Sequence, residues 1–294
     1  MYINHNQMAT NVANTLTSHY GNLQTSTQRL SSGLRINSAA DDAAGLAIRE
    51  LMRTDIAALQ QGVRNANDAI SLIQTADGAL GVIDEKLTRM KELAEQAATG
   101  TYDSTQRLMI ESEYQAMASE ITRIANATDF NGIHLLNGNL SSSVHDGSKM
   151  TSTGKMKIHF GTANDSAEDY YYIQIGTSTA SALGVGNQAA KGAKARTIST
   201  QEAAQNALVG LTDAVVSKDK IRAHLGALQN RLENTISNLT TQAENLQAAE
   251  SRISDVDVAT EMTQFVRNQI LTQSAVAMLS QANSMPKMAM QLIG

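Results

Sequence analysis

The chain of 294 residues contains no cysteine, no tryptophan and one proline, and only 3% of it is aromatic. Without cysteine there is neither a disulfide framework nor a thiolate metal site. With so few aromatic rings, a compact mixed core lacks the bulky apolar material that fills one. A single proline leaves long stretches with nothing to break a helix. The formal net charge is −5 and no basic stripe exists, which argues against nucleic acid, since that partner requires cations arrayed along phosphates. No apolar run approaches the ~18 residues of a membrane span, and the first residues lack the basic and apolar regions of a secretory signal. The expectation is therefore of no membrane span and no cleaved signal peptide.

Groupings that carry chemistry are also missing. The histidines at 5, 19, 134, 145, 159 and 224 never fall three to five residues apart, so no zinc helix is formed. No Gly-x-Ser-x-Gly elbow occurs. Gly184-Val-Gly186-Asn-Gln-Ala189 matches the dinucleotide fingerprint, but no strand precedes it and no βαβ alternation surrounds it, so it reads as a loop. The acidic pairs Asp41-Asp42 and Asp84-Glu85 sit where helix dipole and solvent account for them. No catalytic residue, cofactor or metal is expected, and the protein does not read as an enzyme.

One further absence is more pointed. Met1 to Gln28 contain no Asp, Glu, Lys or Arg, yet Met8, Val12, Leu16, Tyr20 and Leu23 recur at helical spacing. From Val256 to the end the apolar positions include Met262, Val266, Ile270, Leu279 and Met288, and after Arg267 the only charge is Lys287. A solvated helix normally carries charge on its outer face, so these two segments are expected to be covered on both faces when the protein works. The Met-rich end, with Met278, Met285, Met288 and Met290, suits either an adaptable binding surface or a polymer core.

What is present is mostly helix. Between the charge-free start and the first long seam, Gly33 supplies a left-handed helix end, Leu34 to Asn37 an extended spacer, and Ser38 with Asp41 a capping-box variant in which the serine accepts from a helix N–H. Met52, Ile56, Leu59, Val63, Ala66, Ile70 and Ile73 then follow in alternating steps of four and three. After a slip at Ala76 the seam resumes as Leu80, Ile83, Leu87, Met90, Ala94 and Ala97. Some sixty helical residues at ~1.5 Å each give a rod of roughly 90 Å, too long to wrap inside a globule. Ser104 is placed to cap a second helix with Ile110, Tyr114, Met117, Ile121 and Ile124, which Asp129-Phe130-Asn131-Gly132 ends in a tight turn. Alternation at Met156, Ile158 and Phe160 and at Tyr171, Ile173 and Ile175 predicts a β-hairpin. Ser199 or Thr200 opens the return helix, with Leu225, Leu228, Leu232, Thr235, Leu239, Gln242, Leu246, Ala249 and Ile253 on its seam. The fold class is mainly α: a long antiparallel coiled-coil rod with a small β-hairpin subdomain and the two termini paired as a helical coiled coil.

The stretch Arg29 to Gly45 resembles the N-terminal signature of bacterial flagellins. The likeness continues at Arg64-Asn65-Ala66-Asn67-Asp68, Gly78-Ala79-Leu80, Ser251-Arg252-Ile253, Asp255, Asp257, Ala259-Thr260-Glu261, Gln269-Ile270-Leu271 and Gln281-Ala282-Asn283, with Pro286 in the family's usual place. It implies a subunit that polymerises into the flagellar filament outside the cell. Residues 1–37 and 255–294 would form the inner core, 38–132 the outer-core helices, 133–198 its hairpin and loops, and 199–254 its return helix. The polymer interface would lie on Met8, Val12, Leu16, Leu23, Met262, Val266, Ile270 and Leu279.

Other partners implied are an export chaperone at the C-terminal helix, filament cap and hook-associated proteins, and export through the flagellar type III apparatus. Leu87 to Gln96 is similar to the segment read by the vertebrate Toll-family flagellin receptor, with Arg89, Leu93 and Glu113 as contacts. The alternatives are a hook-filament junction protein, whose similar stretch tends to put proline after the paired aspartates where this chain has Ala43, and a secreted membrane-active helical translocator. Helices of the latter kind favour Lys, Arg and Trp, which residues 1–28 lack.

Overall fold

The computed structural model describes residues 6–146, 153–165 and 168–293; Met1 to His5, part of the charge-free start, lie outside them. In chain order the elements are α1 (Gln7–Ser32), α2 (Ala43–Ala98), α3 (Ser104–Ala127), β1 (Asp129–Phe130), β2 (Ile133–His134), β3 (His145–Asp146), β4 (Thr153–Gly154), β5 (Met156–His159), β6 (Tyr170–Ile173), α4 (Ala180–Leu183), α5 (Gln201–Ser254) and α6 (Val258–Ile293). The chain is mainly helical, and among the described residues the strands form three antiparallel pairs: β1 with β2, β3 with β4, and β5 with β6. Two compact units result: one holds residues 1–56 and 244–294, the other 57–243.

In the second unit α2 carries the deepest apolar face. Ala66, Ala69, Leu72, Ile73, Ala76, Leu80, Ile83, Leu87, Met90, Leu93, Ala94 and Ala97 are all buried. The buried face is wider than a two-helix seam because α3 and α5 contribute to the same core, α3 through Tyr114, Ala118, Ile121 and Ala125 and α5 through Ala204, Ala207, Leu211, Leu225 and Leu232. Ion pairs fix the direction: Arg222 Nε reaches Asp77 at 2.7 Å and Lys218 Nζ reaches Asp84 at 2.6 Å, so numbering falls along α5 as it rises along α2. Lys218 is 1% exposed, its stem spent on packing while its ammonium reaches Asp84 and Asp219.

The hairpin forms as its alternation predicts, with Met156 opposite Ile173 and Ile158 opposite Tyr171. Asn131 and Gly132 make the tight turn between β1 and β2. Gly62 seats the hairpin against α2, because a Cβ there would lie 2.0 Å from the Phe160 carbonyl oxygen. Asn65 donates to the His159 carbonyl oxygen at 2.8 Å beside it.

Three local expectations need correction. Ser38 does not cap a helix: α2 begins at Ala43, and the Ser38 hydroxyl donates to the Asp41 carboxylate at 3.0 Å. Asp41 also accepts from the N–H groups of Asn37 and Ser38, hydrogen bonds that hold its carboxyl below the usual range, the Ser38 amide contributing most. The carboxylate that accepts from the new helix is that of Asp42, from the Gly45 N–H at 2.9 Å. A carboxylate is the stronger acceptor facing a positive helix end, so Asp42 takes the serine's place there. Ser104 is likewise the first residue of α3; Asp103 is its cap, with its N–H donating to the Gln106 side chain. On α5, Gln242 is exposed and Ala243 half-buried, while the seam starts earlier than expected, at Ala204, Ala207 and Leu211. Alanines gave too little apolar contrast to mark that first part.

The Asp77 carboxyl is held below its ordinary range, first by hydrogen bonds from Arg222. A depressed carboxyl contributes stability that is fully present above its unfolded pKa of ~3.9 and is lost as pH falls through the folded value. The melting temperature of wild type should therefore exceed that of Asp77→Asn at pH 7, and the gap should shrink below about pH 4. A gap that stays constant with pH would show that the ion pair contributes nothing through its charge.

Candidate subunit interface

Gly33 ends α1 at φ 72°, a left-handed conformation that costs little without a Cβ, and its N–H donates to the Arg29 carbonyl at 2.9 Å. The chain then runs antiparallel to the joint between α5 and α6. Arg35 N–H donates to Ser254 O at 2.7 Å, Val256 N–H to Gly33 O at 3.0 Å, and Leu34 bridges Asp255. Ile36 is buried, and its carbonyl accepts from the Arg49 guanidinium at 2.8 Å. Arg49 is 8% exposed, a structural arginine that the apolar periodicity could not reveal. This joint turns α1 and α6 alongside each other.

The two helices pair antiparallel. Asn6 donates to Ala282 O at 2.8 Å at one end, and Arg29 lies 3.7 Å from Glu261 at the other. The inward side of α6 is Glu261, Phe265, Asn268, Thr272, Ala275, Leu279, Ala282 and Pro286, in alternating steps of four and three. On α1, Val12, Leu16 and Leu23 are half-buried, while Met8 and Tyr20 are 60% and 53% exposed. Of the eight terminal positions singled out from the sequence, Val12, Leu16, Leu23 and Leu279 are thus partly covered. The other four are open: Met8, Met262, Val266 and Ile270.

That division is the main finding of the site. Among the described residues, the buried positions of the pair are small or polar: Ser26, Glu261, Thr272, Ala275 and Ala282. Phe265 and Leu279 apart, most of the larger apolar residues of α6 lie off that inward side. Val258, Met262, Val266 and Ile270 form a row at spacing four, all exposed, and Leu271, Val276, Met278 and Met288 are exposed further on. A helix face of this kind has little charge to solvate it, Arg267 at its edge, and these side chains stay exposed against the described residues of their own chain, so burial of each large one would add ~1.5–3 kcal/mol on contact with another surface.

In the second unit Arg89 meets Glu113 at 2.8 Å and Glu92 at 3.0 Å, all three side chains at least two-fifths exposed. Leu93 is 1% exposed and belongs to the hydrophobic core, so it does not share the surface of Arg89 and Glu113. Among the described residues no cluster of three His, Cys, Asp or Glu side chains is placed to hold a metal ion, and no helix is long and apolar enough to cross a membrane.

Comparison with known proteins bears on this arrangement from outside. The bacterial flagellin N-terminal helical region matches residues 3–141, and the bacterial flagellin C-terminal helical region matches residues 208–293. The chain is 41% identical to flagellin FlaB2 of Treponema pallidum over 293 residues, covering 100% of each. It is 42% identical to the flagellin of Bacillus subtilis over 311 residues, again covering 100% of each. The crystal structure of Bacillus cereus flagellin, 29% identical, aligns with a TM-score of 0.46 over 64% of this chain and 94% of that one. With two family models spanning most of its length and full-length relatives at this identity, the chain belongs to the bacterial flagellin family.

Proposed function

We propose that the chain is the structural subunit of a bacterial flagellar filament, working outside the cell, and that α1 and α6 are the surface through which copies meet. The observation that carries this is the exposed apolar row Val258, Met262, Val266 and Ile270 on a helix pair almost free of charge. Relatives named flagellin, and one from Treponema phagedenis named a flagellar filament 33 kDa core protein at 42% identity, support the filament over the hook-filament junction. In this reading 1–37 and 255–294 form the inner core, and 38–132, 133–198 and 199–254 the outer one. Export proceeds through the flagellar apparatus with a chaperone on the C-terminal helix, and cap and hook-associated proteins adjoin the polymer ends. Purified chain brought to high salt should pellet, and electron micrographs of the pellet should show uniform filaments. Material that stays monomeric, or that pellets as amorphous aggregate, would contradict the proposal.

The same reading assigns the exposed Arg89, with Glu92 and Glu113, to contact with a Toll-family receptor, and gives Leu93 the role of holding that face from beneath. Arg89→Ala should lower signalling by the monomer in a receptor reporter assay. Its melting temperature should hardly change, because exposed ion pairs contribute ~0–1 kcal/mol. Signalling equal to wild type at every dose would remove Arg89 from the contact.

A further inference from the structure

The outer face of the β5–β6 hairpin is chemically unlike the rest of the molecule. Strand alternation puts Lys157 and His159 on it from β5, opposite Tyr172 and Tyr170 from β6, and Lys155 joins them from the residue before β5. These groups cover one another. Lys157 Nζ lies 3.6 Å above the centre of the Tyr170 ring and Lys155 Nζ 4.2 Å above that of Tyr172. The two tyrosine rings meet edge to face at 5.4 Å, His159 stacks on Tyr170 at 6.1 Å, and His145 tilts against Tyr172 at 5.4 Å. His145 is tied in by its Nδ1, 2.8 Å from the Lys155 carbonyl oxygen. The opposite face of the same strands accounts for the fold by itself, with Ile173 buried and Tyr171 held between Phe160 and Arg231. The outer tyrosines are half-buried by their neighbours alone.

We infer that this face binds an acidic polysaccharide. On a chain of net charge −5 it gathers two ammonium groups and two imidazoles. Among the carboxylates nearest in sequence, Asp169 is buried and turned into its own loop, accepting from the Asp165 N–H at 2.7 Å, while Asp146, Asp165 and Glu168 are exposed. Two ammonium groups complement an anion, and tyrosine hydroxyls beside them complement a ligand dense in hydroxyls. The geometry disfavours a nucleic acid, because base stacking needs a free ring face and here an ammonium lies over each tyrosine. Mutual packing of the rings restricts the side chains beforehand, so little freedom is lost when a polymer settles on their tips.

The test uses the full chain passed over surfaces carrying polygalacturonate (carboxylated), heparin (sulfated), neutral dextran or single-stranded DNA. Retention is expected on polygalacturonate, heparin or both, which distinguishes the anion, and should vanish at ~1 M salt, where the Debye length is ~3 Å. Lys155→Gln with Lys157→Gln should weaken retention at least ~10-fold, and Tyr172→Phe a few-fold, with unchanged far-ultraviolet circular dichroism. If the double variant loses its fold, Tyr172→Phe alone decides, and undiminished affinity overturns the inference. So does failure to bind either acidic polysaccharide, binding to dextran as strong as to them, binding to DNA as tight as to them, or a folded double variant that binds like wild type.

Discussion

Ile270→Asp should abolish polymer formation while thermal unfolding of the 57–243 unit stays as in wild type. Ile270 is 56% exposed and lies in the other unit, so the substitution creates no cavity and places no charge in the core of residues 57–243. In the polymer the same position would be enclosed by a neighbouring copy, and the one cation near it on its own helix, Arg267 three residues back, would have to leave water with the new carboxylate in order to pair with it. Taking an ion out of water costs several kcal/mol even after relaxation, and an ion pair repays that only where its geometry is excellent. At ~1.4 kcal/mol per factor of ten, a penalty of ~4 kcal/mol raises the concentration needed for assembly by about a thousand-fold. Each added subunit meets that penalty again, because contacts along a helical polymer are heterologous and repeat. Two measurements on one variant suffice, calorimetry of the monomer and sedimentation of the polymer. Pelleting at the wild-type concentration would show that the row from Val258 to Ile270 stays in water.

Leu80→Ala should lower the stability of the 57–243 unit by ~2–5 kcal/mol, and Leu239→Ala by an amount near the bottom of that range. The difference follows from surroundings rather than chemistry. Leu80 is fully buried in the cluster shared by α2, α3 and α5, where neighbours on every side resist collapse into the space left behind. Leu239 is also buried, but at 7% exposure and outside that cluster, close to where α5 leaves the unit at Ala243. Denaturant titration reads both. Equal losses, or a larger loss at Leu239, would mean that the core is centred elsewhere along α5.

The helices of the second unit were legible because large aliphatic residues recur along α2, and the hairpin because residues 156–160 and 171–175 alternate cleanly. Where the contrast was low, reading failed in understandable ways. The first part of α5 packs through alanines and through Lys218, whose charge hid a buried stem. Serine is a common cap, but at α2 the adjacent carboxylates divide the N–H groups, Asp41 accepting from Ser38 ahead of the helix and Asp42 from Gly45 within it.

On α6 the periodicity of Met262, Val266 and Ile270 was real but marks the outward face. The seam with α1 carries Asn268, Thr272 and Ala275 between Phe265 and Leu279, so its apolar trace is broken. Two apolar faces of unequal strength on one helix cannot be ranked from spacing alone. Here the larger exposed row lies outside, as the proposed contact between copies would require. Leu93 shows the converse: a residue selected by likeness for the surface is held in the core by the heptad phase that also buries Met90 and Ala97.

Hydrogen–deuterium exchange compared between monomer and filament tests the central claim most directly. In the monomer the side chains that the α1–α6 pair buries are, among the described residues, small or polar, so the pair should open readily and its amides should exchange early, well before those of α2 between Leu72 and Ala97. In the filament the amides of 7–32 and 258–293 should become protected by orders of magnitude, while the core of the second unit changes little. Terminal helices that exchange at the same rate in both states would contradict the account, because copies would then be meeting through some other surface.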